Sequence, residues 1–166
     1  PNDSPKQIAP LPDFCRKAGV RGAGTHLTFT PDRREILADL QTPFGSSIGT
    51  FDVVSGAYHE WYRTVPGIPY NHAQMCPKLG EYVLPAFVDG VYPRLQIIQR
   101  DGTRTMIPPY ENFATHEWWA ADGKSIYYCC HERIVRDWLD GRKPEIVCEV
   151  PIPGGNGTWH GHSTQD

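Results

Sequence analysis

The sequence predicts an all-β chain built as a stretch of β-propeller, with about three blades and the start of a fourth. Three observations predict it. Gly and Pro, at 16 each, together with 5 Trp, 8 Tyr and 6 Phe, suit short strands joined by turns. A histidine recurs at nearly constant spacing, at His26, His72, His116 and His160, with intervals of 46, 44 and 44 residues. Each interval holds several strand-like runs, and four short strands per ~45 residues is the period of a propeller blade.

The repeat is legible in the segments "THLTFTPD", "NHAQMCPK", "THEWWAAD" and "WHGHSTQD", which begin at Thr25, Asn71, Thr115 and Trp159. Aligned on their histidines, they place Asp32, Lys78, Asp122 and Asp166 at one shared position, where a turn is expected. The first copy continues through "EILADL" and "IGTFDVVSGAYHEWYR". The second continues through "EYVLPAF" and "RLQIIQRDGTRTMI", and the third through "SIYYCC" and "ERIVRDWLDGRKPEIVCEV". These runs are rich in Val, Ile and aromatic residues, and "SGA", "RDG", "ADGK" and "DGR" punctuate them as turns. Only "HERIVRDWLDG" hints at a 3.6-residue period; it reads as a strand plus turn, or a short helical insertion. The expected boundaries are an extended segment over 1–23 and blades near 24–66, 70–109 and 114–152. A further blade is expected to start at 157–166. An open stack of three blades leaves apolar faces and strand edges uncovered, so the expected partner of this stretch is the remainder of a propeller.

Composition narrows the partners. The formal net charge of −3 gives no electrostatic reason to expect nucleic acid or an anionic membrane surface. No apolar run approaches the ~20 residues of a membrane span. The opening "PNDSPKQIAP" suggests processing or trimming. The five cysteines (Cys15, Cys76, Cys129, Cys130 and Cys148) are odd in number and form no CxxC pair. The adjacent Cys129 and Cys130 are poorly disposed for a disulfide, so the cysteines do not decide the compartment.

A propeller blade places its first strand on the central channel, so the four aligned histidines are expected to ring a shared space. His162 joins them: on a strand, the His160-x-His162 pair places two imidazoles on one face, about 7 Å apart, a spacing suited to a metal or an anion.

The segments "NHAQMCP", "THEWWAADGKSIYY" and "WHGH" resemble the oligogalacturonate lyase family, a seven-bladed propeller related to TolB-type repeats. The resemblance runs from about Gly24 to Asp166. It implies β-elimination on uronic-acid oligosaccharides, a divalent metal (usually manganese) held by His116, His160 and His162, and a general base at His72. One departure stands out. The family carries a glutamine ligand three residues before the "WH-H" histidine, where this chain has Gly157. A thiolate from Cys129 or Cys130 could fill that place, with Cys130 preferred. Sulfur beside imidazoles favours zinc over manganese. Ulvan lyases, which cleave another uronate polymer, are the neighbouring possibility.

Elimination removes the proton at C5, next to a carboxylate. That charge must be neutralised, and a base must reach the carbon. Neutral histidine, with a reference pKa of about 6.5, suits the second task. Arg94 suits the first, because a guanidinium grips a carboxylate through two parallel hydrogen bonds. Tyr92 is a candidate acid or base. Tyr110 and His26 are candidate substrate contacts, Trp118, Trp119 and Trp159 are expected in blade packing, and His59 at a rim. A four-ligand metal would instead clamp adjacent blades structurally. The contrasting function is a non-catalytic TolB-like propeller that binds protein. Location stays open between intracellular and exported, with the secreted or periplasmic side favoured.

Overall fold

The computed structural model describes residues 13–19, 22–23, 27–68, 70–87, 94–108 and 110–149. Within them lie twelve strands in three four-stranded antiparallel sheets. The first holds β1 (Gly22–Ala23), β2 (Glu35–Thr42), β3 (Gly45–Asp52) and β4 (Tyr58–Arg63). The second holds β5 (Tyr70–Met75), β6 (Tyr82–Phe87), β7 (Leu95–Gln99) and β8 (Arg104–Ile107). The third holds β9 (Thr115–Trp119), β10 (Ser125–Cys130), β11 (Arg133–Trp138) and β12 (Glu145–Glu149). Each sheet is a meander in which every strand pairs with the next in sequence.

Hairpin chemistry explains the meanders. The "SGA", "RDG", "ADGK" and "DGR" segments each place a glycine at positive φ, at Gly56, Gly102, Gly123 and Gly141. In the β9–β10 turn, Gly123 N–H donates to Ala120 O, and the Asp122 carboxylate accepts from Lys124 N–H. A Cβ at Gly123 would lie 2.8 Å from Cys76 Sγ, so both backbone angle and space call for glycine there.

The sheets stack face to face, with β2 against β5, β4 against β7 and β6 against β9. The period-2 alternation of strands builds two cores from adjacent residues. Val83 and Ile98 face the first sheet, packing with Leu37, Ile48, Trp61, Ala73 and Met75. Their neighbours Leu84 and Ile97 face the third sheet, packing with Trp119, Ile126, Tyr128 and Val135. Both faces of the middle sheet are therefore covered, which is why β6 and β7 carry adjacent apolar pairs, Val83–Leu84 and Ile97–Ile98. The Arg100 guanidinium, above the Trp61 ring at 4.9 Å from its centroid, pairs with Glu35 and ties β2 to the end of β7.

Two expectations change. The segment 1–23, expected to be extended, contains a helix, α1 (Asp13–Ala18), packed against β2, and also the first strand. Asp13 in its first turn, with Arg16 and Lys17 in its last, matches the helix dipole. The helical option for "HERIVRDWLDG" gives way to β11, because Val135 and Asp137 face inward while their neighbours are half-buried. The expected start of a further blade at 157–166 lies outside the described residues. No helix among the described residues is long and apolar enough to cross a membrane.

Candidate functional site

The repeated histidines occupy a distinctive backbone position. In the β5–β6 pair, Asn71 faces Ala86 and Gln74 faces Leu84, so β5 spends three steps where β6 spends two. In the β9–β10 pair, Thr115 faces Cys129 and Trp118 faces Tyr127, with the same mismatch. Each is a bulge, and each holds the repeat histidine in the left-handed region: His72 at φ 55° and His116 at φ 50°. For a non-glycine residue this conformation costs ~1–2 kcal/mol, and it persists only where the surroundings enforce it. Bulges of this kind re-aim a side chain. Both imidazoles are half-buried, on the first strands of adjacent sheets.

The neighbouring sheets hold these bulges in place. Ala73 N–H donates to Asp39 Oδ2 on β2, at 3.2 Å, and Met75 N–H to Thr28 Oγ1, at 2.9 Å. On the other side, Gln74 Nε2 donates to Glu117 O, at 2.6 Å, and Trp119 Nε1 donates to Gln74 O, at 3.0 Å. A polar seam thus runs from Asp39 on β2 and from Thr28, through β5, to β9.

Two buried acids mark the seam. Asp39 is 2 % exposed, and its Oδ1 has no hydrogen-bond partner among the described residues. Burial pushes its pKa up to about 6, against the pull of the Ala73 N–H. Glu117 is 3 % exposed, and neither carboxylate oxygen has a hydrogen-bond partner among the described residues. Burial raises its pKa too, opposed by its own backbone N–H and by the charge of Arg94. Neither acid was among the sequence candidates. Asp39 carried a usable signal, a single acid between apolar residues in "LADL", where a strand alternation demands burial. Glu117 directly follows a repeat histidine.

Asp39 sets a testable pH dependence. An acid whose folded pKa lies above its unfolded value stabilises the fold below the unfolded pKa, and that stability is lost as pH rises through the folded value. Between 3.8 and about 6, Asp39 therefore costs the fold roughly 3 kcal/mol. Asp39→Asn keeps an acceptor for Ala73 N–H and removes the charge. Urea midpoints measured from pH 4 to pH 7 should show the variant gaining on the wild type as pH rises, to about 1–3 kcal/mol at pH 7. Parallel curves would contradict the assignment.

The other candidates are dispersed. Arg94 is half-buried just before β7, close enough to act on Glu117. Tyr110 lies in the short 3-10 turn Tyr110–Asn112 between the second and third sheets, and its ring packs on their shared core. Cys130 is fully buried, on the same strand face as Ile126 and Tyr128, turned toward the second sheet. Its thiol donates to Tyr110 O at 3.3 Å. Cys129 alternates onto the opposite face of β10. Trp119 is core, as expected of it, whereas Trp118 stacks on Tyr127 with centroids 5.6 Å apart. His59 is exposed on β4. His26, Tyr92, His160 and His162 lie outside the described residues, as do Gly157 and Trp159. Among the described residues, neither His72 nor His116 belongs to a group of three metal-ligating atoms.

No family model and no curated protein matches the sequence. Solved structures do match in shape. The Cps50 (Swd1) β-propeller domain of Myceliophteria thermophila superposes with a TM-score of 0.59 at 16 % identity, covering 82 % of this chain and 45 % of that one. TolB from Acinetobacter baumannii gives a TM-score of 0.58 at 13 % identity, covering 81 % of this chain and 34 % of that one. The fold is a β-propeller. The chain spans less than half the length of either structure, and each four-stranded meander corresponds to one blade of it.

Proposed function

We propose that this stretch of propeller belongs to a seven-bladed polysaccharide lyase that cleaves uronate-containing glycans, of the oligogalacturonate or ulvan type, by β-elimination. The observation that carries the reading is the pair of repeat histidines, His72 and His116, each held at positive φ in an equivalent bulge on adjacent first strands. Bulges re-aim side chains and recur next to active sites, and here both carry the repeat histidine. The motif resemblance gives both histidines a role.

In this reading His72 takes the C5 proton. A neutral imidazole is in general a base of suitable strength near neutral pH, and such a base supplies roughly 10²–10⁴-fold in rate. Arg94 meets the substrate carboxylate. Burial raises the Glu117 pKa, and the Arg94 charge opposes that rise, so the two side chains act on one another beside the proposed base. Tyr92 is the proposed acid or base beside it, and His26 and Tyr110 are the proposed substrate contacts.

Of the proposed metal set of His116, Cys130, His160 and His162, only His116 and Cys130 lie among the described residues. The Cys130 thiol faces the second sheet and is engaged by Tyr110 O, on the other side of β10 from Cys129. The proposed proton transfer rests on His72 and Arg94; a divalent zinc or manganese ion at those residues would add neutralisation of the substrate carboxylate.

The direct test incubates the protein with oligogalacturonate and with ulvan and follows ultraviolet absorbance. Elimination creates a carbon–carbon double bond conjugated to the carboxylate, so absorbance should rise with one of the two. No rise with either would reject the lyase reading.

A further inference from the structure

A second constellation lies away from the two bulged histidines. The Glu111 carboxylate, the Cys130 thiol and the His131 imidazole each present one ligand atom, and these atoms all lie within 4.8 Å of one another. They come from two separate chain segments. Glu111 sits in the 3-10 turn linking the second sheet to the third, and Cys130 ends β10 where His131 begins the turn into β11. The register pairs Cys129 with Thr115, so this turn lies at the end of the third sheet where β9 begins, next to the His116 bulge.

The surroundings hold each side chain at its post. His131 stacks on Phe113, with ring centroids 4.5 Å apart and planes at 12°. Glu111 Oε1 accepts from Arg133 Nη1 at 2.9 Å. The Cys130 side chain is fully buried, while Glu111 and His131 are exposed, so the group opens to solvent on one side. In a tetrahedral zinc site, metal–sulfur bonds of ~2.3 Å and metal–nitrogen or metal–oxygen bonds of ~2.0–2.1 Å put ligand atoms about 3.5 Å apart. The ligand atoms, all within 4.8 Å of one another, would draw closer on binding a metal.

We infer that Glu111, Cys130 and His131 form a mononuclear site for a zinc-class divalent cation, with the fourth position open to water or an anion. Sulfur with imidazole and carboxylate selects zinc over manganese or magnesium. Binding releases the thiol proton to solvent and replaces the S–H bond to Tyr110 O with a sulfur–metal bond. Thiolate and carboxylate together balance a divalent charge. Arg133 orients the ligating carboxylate, the kind of outer partner that tunes affinity. The site joins the inter-sheet connector to the β10–β11 turn, and so fixes the lip of the third sheet beside His116. This assignment uses Cys130 without His116, His160 or His162, and stands apart from the lyase reading.

The test titrates the protein with Co²⁺ under a non-thiol reductant and follows the near-ultraviolet band of thiolate-to-cobalt charge transfer. One equivalent should produce the band. Because Glu111 and His131 are exposed, Glu111→Gln and His131→Ala should fold normally by circular dichroism while weakening Co²⁺ affinity at least ~10-fold each. His116→Ala should titrate like the wild type, and Cys130→Ser should lose the band. If Cys130→Ser does not fold, the two exposed variants carry the test. An absent band would overturn the site. So would full affinity in His131→Ala, or loss of the band in His116→Ala with retention in His131→Ala; the latter result would return Cys130 to the first-strand histidines.

Discussion

If the chain is the lyase proposed above, His72→Gly is expected to abolish elimination while leaving the fold as stable as before. The two halves of that outcome rest on different physics. His72 sits at φ 55°, a conformation that glycine adopts freely and other residues adopt at a cost of ~1–2 kcal/mol. The substitution therefore relieves the backbone while deleting the imidazole and its contacts, and net stability should stay within ~1 kcal/mol of the wild type. Loss of a positioned general base should lower the elimination rate by roughly 10²–10⁴-fold. His72→Ala makes the useful comparison, because it loses the imidazole but keeps the strained angle, and should be the less stable of the two. The checks are thermal melting and the ultraviolet assay on each variant. Retained activity in His72→Gly would remove His72 from the chemistry. A large fall in its melting temperature would mean that the imidazole is there to hold the fold.

Trp119→Ala is expected to cost about 3–5 kcal/mol, enough to unfold much of a marginally stable protein. The ring is 1 % exposed and sits in the core shared by the second and third sheets, with Leu84, Ile97, Ile126 and Tyr128. Its Nε1–H also donates across the sheets to Gln74 O, so truncation opens a cavity and leaves that carbonyl without its donor. Trp118, one residue earlier, lies on the opposite face, stacked on Tyr127 and half-buried. Trp118→Ala should cost distinctly less, about 1–2 kcal/mol. Urea denaturation of both variants measures the contrast. Equal losses would mean that β9 sits one residue out of register, which would also move His116 to the other face.

The two arguments depend to different degrees on what the chain announces by itself. Short apolar strand-like runs such as "EILADL" and "SIYYCC", with glycine at the turns, are a local property, and they are enough to place three hairpin-rich units and align their histidines. The adjacent pairs Val83–Leu84 and Ile97–Ile98 also make sense from sequence, since an uninterrupted apolar run means a strand covered on both faces. The bulges at His72 and His116 carry no such signal. A bulge is a mismatch between two strands, and nothing in "YNHAQM" or "THEWW" alone shows that the partner strand is one residue shorter there.

The same reason explains the cysteines. Which of Cys129 and Cys130 faces a given neighbour depends on register, because a slip of one residue exchanges the faces of the whole strand. The register sends Cys130 toward Tyr110, Glu111 and the second sheet. The connector Tyr110–Asn112 reaches that turn only because two sheets pack side by side, so the sequence separation of Glu111 from Cys130 and His131 hid their proximity.

The sequence by itself determined the repeat, the strand-and-turn pattern and the alignment of the histidines, since these follow from side-chain size, polarity and backbone freedom within a few residues. Tertiary structure alone decided the strained angle of each histidine, the burial of Asp39 and Glu117, and the gathering of Glu111, Cys130 and His131. Each of these depends on where a neighbouring strand or sheet comes to rest, and that is set by the packing of residues far apart in the chain.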